Sequence, residues 1–72
     1  MKQDEQGKYI ELQDFIKTIG LATTGGQAKV LIRAGVILVD GKVETKLRKK
    51  LRNGMIVEYE DKKYAVEESK LT

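Results

Sequence analysis

Between Lys29 and Arg52 the chain carries eight basic side chains, Lys29, Arg33, Lys42, Lys46, Arg48, Lys49, Lys50 and Arg52, against only Asp40 and Glu44. That stretch has a formal charge of +6 and the remaining residues sum to −3, so the overall +3 hides a basic middle between acidic ends. Clustered ammonium and guanidinium groups donate to phosphate oxygens and raise a positive potential that draws in a polyanion over a Debye length. Nucleic acid is the commonest polyanion open to a small protein, so the chemistry these residues suit is recognition of a phosphate backbone.

The same inventory argues against catalysis. The chain has no His and no Cys, hence no side chain of ordinary pKa near neutrality to act as base or nucleophile. Their absence also argues against a structural zinc site or a disulfide, and no Walker-type glycine loop is present. The acidic groups Glu58, Glu60, Asp61, Glu67 and Glu68 have no magnesium-ligand spacing and read as a solvated surface. A non-catalytic binding protein without cofactor or metal is the expectation.

Seventy-two residues make one domain, with a core expected over about residues 9–67. A domain of this size buries only ~60% of the surface its unfolded chain exposes, so every core position matters. The polar start has no signal-peptide core, and no apolar run approaches the ~18 residues that span a bilayer. A cytoplasmic location with no membrane partner is the default.

What must position the basic groups is an α+β framework of two short helices on a small antiparallel sheet. Residues 1–8 are polar and expected to fray, with Tyr9-Ile10 a short strand. Leu12, Phe15, Ile16 and Ile19 recur at i, i+3, i+4 and i+7, one apolar stripe of a helix that Gly20 ends. Leu21 to Gly26 reads as a connector, with Thr23 or Thr24 as cap of a second helix. Ala28, Leu31 and Ile32 share a face of that helix, Gly35 closes it, and Lys29 and Arg33 stack one turn apart on a face turned away from the apolar one. Asp40-Gly41 between Val36-Ile37-Leu38-Val39 and Lys42-Val43-Glu44-Thr45 is a strong two-residue hairpin signal. Lys46 to Arg52 reads as a basic loop whose Leu47 and Leu51 plug the core. Asn53-Gly54 is a turn, Met55 to Tyr59 a third strand, Asp61-Lys62 a turn and Lys63 to Val66 a fourth strand. Phe15, Ile16, Leu31, Ile32, Ile37 and Val39 should be buried, which places Val36 and Leu38 on the other face of the sheet. No aromatic lies near the basic stretch in sequence, so recognition should rest on charge and shape rather than base stacking.

The run Thr24-Gly-Gly-Gln-Ala-Lys-Val-Leu-Ile-Arg-Ala-Gly-Val-Ile-Leu-Val-Asp-Gly-Lys-Val resembles the S4 RNA-binding domain family, the alpha-L fold. That family joins a basic helix with a Gly stop to a Val-x-Val-Asn-Gly-Lys hairpin. The resemblance covers roughly Ile10 to Tyr59, and Glu44-Thr45-Lys46 and Lys50-Leu51-Arg52-Asn53-Gly54 look most like the small stand-alone S4 proteins of the YaaA type. It implies an RNA site at Thr24, Gln27, Lys29 and Arg33 on the helix. The hairpin would add Asp40, Gly41 and Lys42, and the loop Lys46, Arg48, Lys49, Lys50 and Arg52. The helix N-terminus independently favours a phosphate, and Gly25 and Gly26 let a backbone come close. Gly25 stands where the family pattern has Arg, and Val36 and Leu38 are apolar where it tends to polar groups. The resemblance further implies structured ribosomal RNA as ligand and association with the ribosome, ribosomal particles or ribosome assembly. Two rivals stand beside it: a protein-interaction adaptor working through Val36 and Leu38, and a detached accessory domain of an RNA-modifying enzyme.

Overall fold

The computed structural model describes residues 2–68. Met1 and the end of the polar tail, residues 69–72, lie outside them. The elements run β1 (Lys2–Asp4), β2 (Gly7–Glu11), α1 (Leu12–Thr18), α2 (Gly25–Arg33), β3 (Leu38–Val39), β4 (Lys42–Val43), β5 (Lys50–Leu51), β6 (Ile56–Tyr59) and β7 (Lys62–Ala65). The strands form two antiparallel sheets, ordered β1-β2-β5 and β4-β3-β6-β7. The α+β arrangement matches the expected S4-like fold, with a second small sheet added to the one foreseen.

The apolar stripes meet as their periodicity requires. Leu12, Phe15 and Ile16 of α1 and Ala28 and Ile32 of α2 are buried with Ile37, Val39, Leu51, Val57 and Val66 in one core. Ile19, Leu31 and Leu47 pack against that core only partly buried; Leu31 lies at the edge of the α2 stripe, so its expected full burial is not reached. Both helices stop at a glycine in the left-handed region, Gly20 (φ 83°) and Gly35 (φ 76°), where a Cβ would be strained.

The Asp40-Gly41 turn is as expected. Both residues have positive φ, 51° and 83°, and Leu38↔Val43 and Val39↔Lys42 face each other across it. Ile37 and Val39 point inward while Val36 is 45% exposed and Leu38 half-buried, the alternation of a pleated strand. The last hairpin is shifted by one residue from the expectation. Its turn residues are Glu60 and Asp61 (φ 50° and 65°), so that Tyr59 faces Lys62.

Two further expectations are corrected. Residues 2–8 do not fray: Lys2↔Tyr9, Gln3↔Lys8 and Asp4↔Gly7 pair β1 with β2. The stretch from Lys46 to Arg52 is not all loop, because Ile10↔Leu51 and Glu11↔Lys50 pair β2 with β5. The first turn of α1 holds the rest of that stretch. The N–H of Leu12 donates to the carbonyl of Lys49 at 2.9 Å and that of Gln13 to the carbonyl of Leu47 at 3.0 Å. These are donors that a helix N-terminus leaves without an intrahelical partner.

Candidate nucleic-acid interface

The N-terminus of α2 is built by a local network of side chains. The Oγ1 of Thr24 accepts from the N–H of Gln27 at 3.1 Å, the N-cap bond that the helix start requires. Gln27 reaches back, its Oε1 accepting from the N–H of Thr23 at 2.7 Å and from the Thr23 hydroxyl at 2.9 Å. Both threonines therefore serve the cap. Gly25 and Gly26 belong to the first helical turn rather than to the connector. Both are exposed, and a Cβ at Gly25 would meet nothing within 4 Å. Their N–H groups lie at the positive end of the helix dipole, where a helix leaves donors without intrahelical partners, which favours an anion.

Lys29 and Arg33 continue this face. Both are exposed, and neither side chain has a hydrogen-bond or ion-pair partner among the described residues. The β3–β4 hairpin folds against the C-terminal end of α2: a Cβ at Gly35 would lie 3.8 Å from a Val43 methyl. Asp40 is taken up by the turn, its N–H donating to the Ile56 carbonyl at 2.8 Å and its Oδ1 accepting from the Ile56 N–H at 2.9 Å. Lys42 and Lys49 line one shallow groove with Asp40 and Glu44. Lys46 is exposed, and its N–H donates to Glu44 Oε2 at 3.0 Å.

The other basic residues face a different neighbourhood. Arg48 donates from Nε to Glu11 Oε2 at 3.0 Å, and this ion pair holds the guanidinium above its ordinary pKa. Lys50 of β5 and Arg52 just after it flank the buried Leu51 and converge on Asp4, at 2.8 Å and 2.7 Å. Arg52 first, then Lys50, holds the Asp4 carboxyl well below the usual carboxylate range. Both cations also sit over the Tyr9 ring, 5.0 Å and 5.5 Å from its centre, within cation–π range. The eight basic residues thus divide. Lys29, Arg33, Lys42, Lys46 and Lys49 have no side-chain ion pair among the described residues, and Arg48, Lys50 and Arg52 are matched by acids.

The structure therefore corrects the separation of aromatics from the basic stretch, since Tyr9 lies under it. Asp4, Tyr9 and Glu11 are the residues sequence reasoning missed. Glu11 and Tyr9 could have been sought in a β2 strand longer than two residues; the ion pairs of Asp4 carry no local signal, because those partners are 46 and 48 positions away. Among the described residues no group of three or more potential metal ligands occurs and no helix is long and apolar enough to cross a membrane.

Comparison with known proteins points the same way. The family model described as the S4 domain matches residues 4–67. The chain is 41% identical over 51 residues to the Escherichia coli (strain K12) protein named "Putative RNA-binding protein YbcJ", a span of 71% of this chain and 73% of that protein. The Shigella flexneri "Uncharacterized protein YbcJ" is similar to the same extent, 41% over 51 residues and the same shares of the two chains.

Proposed function

The chain belongs to the S4 domain family, and from that premise we propose that it is a non-catalytic RNA-binding protein that holds structured RNA by its phosphate backbone. The observation that carries this reading is the continuation of the α2 N-terminus, at Gly25 and Gly26, into Lys29 and Arg33 on the exposed side of the same helix, neither of which has a side-chain partner among the described residues. Lys42, Lys46 and Lys49 add positive charge from the hairpin and the following segment. Asp40, Gly41, Thr24 and Gln27 shape the backbone that presents these groups, and Arg48, Lys50 and Arg52 form the margin. The name carried by the E. coli relative supports RNA as the ligand.

The finer part of the proposal is ribosomal RNA, bound on the ribosome or during its assembly in the cytoplasm. A-form RNA hides its major-groove edges and offers phosphates and 2′-hydroxyls. A surface rich in flexible cations suits that target. Sequencing the RNA crosslinked to the protein in cells tests this part: ribosomal fragments are expected, and recovery of other RNA classes alone overturns it.

The binding mode is tested by titrating a structured ribosomal RNA fragment against salt. Replacing Lys29 and Arg33 together by Ala removes two cations without touching the core. The slope of log K against log salt should flatten by ~1.4–1.8, at ~0.7–0.9 for each phosphate contact. An unchanged affinity and slope overturn α2 as the RNA-facing element. In that event the adaptor reading gains, for which the exposed Val36 (45%) and Val43 (58%) are the favouring observation; an apolar interface would tolerate added salt.

A further inference from the structure

Asp4 sits as a phosphate would sit. Its Oδ2 accepts from Arg52 Nη2 at 2.7 Å and from Lys50 Nζ at 2.8 Å, and its Oδ1 accepts from Arg52 Nη2 at 3.0 Å. One small oxyanion between a guanidinium and an ammonium is the arrangement that recognises a phosphodiester.

The two cations have other supports. Both lie over the Tyr9 ring, and Arg52 Nη1 also donates to the Gly7 carbonyl at 3.3 Å. The acid, by contrast, sits on a short segment held by pairing to β2 and by the Gln6 N–H, with no share in the core. β1 is an edge strand paired with β2 alone, Gln3, Glu5 and Gln6 are exposed, and none of Gln3, Asp4, Glu5 or Gln6 contributes to the core. Charge is the main tie between this segment and β5, and ion pairs near solvent are weak and screened by salt.

Resting on the RNA-binding reading above, we propose that residues 3–6 are an internal competitor for RNA. The Asp4 carboxylate occupies a phosphate subsite made by Lys50 and Arg52 over Tyr9, and an arriving RNA backbone displaces it. Bound RNA then engages these two cations together with the five that have no ion pair among the described residues. The cost of displacement lowers the apparent affinity by the fraction of time that the subsite is free. The strap thus favours ligands long enough to reach both the α2 face and the β5 face, and it disfavours short or isolated anions.

The test uses the whole chain, a structured RNA hairpin and the Asp4→Asn variant, with Asp14→Asn as control. Asp14 pairs with Lys17 on α1, so the control removes one negative charge away from the strap. Asp4→Asn should tighten binding about 3- to 10-fold, as for a subsite free about 10–30% of the time. It should also steepen the log–log salt slope by about one contact, ~0.7–0.9. In the parent protein, the amide of Gln6, which donates to Asp4 Oδ1 at 3.0 Å, should exchange faster with solvent once RNA is bound. Equal effects of Asp4→Asn and Asp14→Asn overturn the proposal, as does a Gln6 amide still protected in the complex. Should Asp4→Asn fail to fold, the amide measurement on the parent decides. A parent protein that binds no RNA at all instead overturns the reading on which the proposal rests.

Discussion

The Nε of Arg48 donates to the Oε2 of Glu11 at 3.0 Å, across 37 positions of sequence. The pair is lopsided, the Arg48 side chain being 78% exposed and that of Glu11 only 5%. A buried carboxylate needs its donors, and Gln13 supplies another through Nε2 to Oε1 at 3.0 Å. Glu11 thus fixes where the basic segment crosses the end of β2.

Truncating either partner should therefore destabilise the domain. Glu11→Ala should cost ~1–3 kcal/mol, the range for losing bonds to a buried charged group. Arg48→Ala should be no milder, although Arg48 itself is exposed, because it leaves the buried Glu11 carboxylate one donor short. Urea unfolding of both variants measures this, and an unchanged stability of Arg48→Ala would contradict the role of the pair.

At Gly41 the backbone has φ 83°, and an added Cβ would meet nothing within 4 Å. The penalty of Gly41→Val is then conformational alone. Roughly 1–2 kcal/mol is expected for a β-branched residue in the left-handed region, which lowers the melting temperature by several degrees in a domain of this size. An unchanged melting temperature would show that the β3–β4 turn adds little to stability.

Gly25 offers the reverse experiment. An Arg there has space, and it would replace the worst helix former after Pro. Gly25→Arg should steepen the salt slope of RNA binding by about one contact, ~0.7–0.9, and leave stability within ~1 kcal/mol, since the gain in helix propensity opposes a cation at the positive helix end. Unchanged RNA affinity would place the α2 N-terminus away from the ligand.

Acid should act first on the N-terminal hairpin. Arg52 and Lys50 hold the Asp4 carboxyl low, so its contribution is complete above the ordinary carboxylate value and fades as pH falls toward the folded-state value. The β1–β2 amides should therefore lose exchange protection progressively below pH ~4. Asp4→Asn should lack this pH-dependent step. Protection of the parent hairpin that stays constant to pH ~2 would show that the ion pairs do not hold it.

The parts legible from sequence are those with a local signature. Asp40-Gly41 names its turn, Gly20 and Gly35 name two helix ends, and the spacing of Leu12, Phe15 and Ile16 names a buried stripe. β1 has no such signature. Gln3 and Asp4 do not alternate with apolar residues, and they are held by pairing with β2 and, at Asp4, by charge carried by Lys50 and Arg52. β5 was obscured for a related reason: two residues, one basic and one buried, are too short for a period. The basic cluster was legible as composition. Its division into open and paired groups was not, because that division depends on contacts 37 to 48 positions apart.

The carbonyls of Leu47 and Lys49 accept from the first turn of α1, so main-chain atoms set the course of the segment between β4 and β5. At positions 46 and 49, whose side chains have no ion pair among the described residues, course and charge are thereby decoupled. A lysine at position 46 or 49 can be exchanged for a neutral residue, or a neighbour gained, while the path of the chain stays as it is. Grip on a polyanion can then be graded one charge at a time, from a tight holder to a transient visitor, on a single unchanging scaffold.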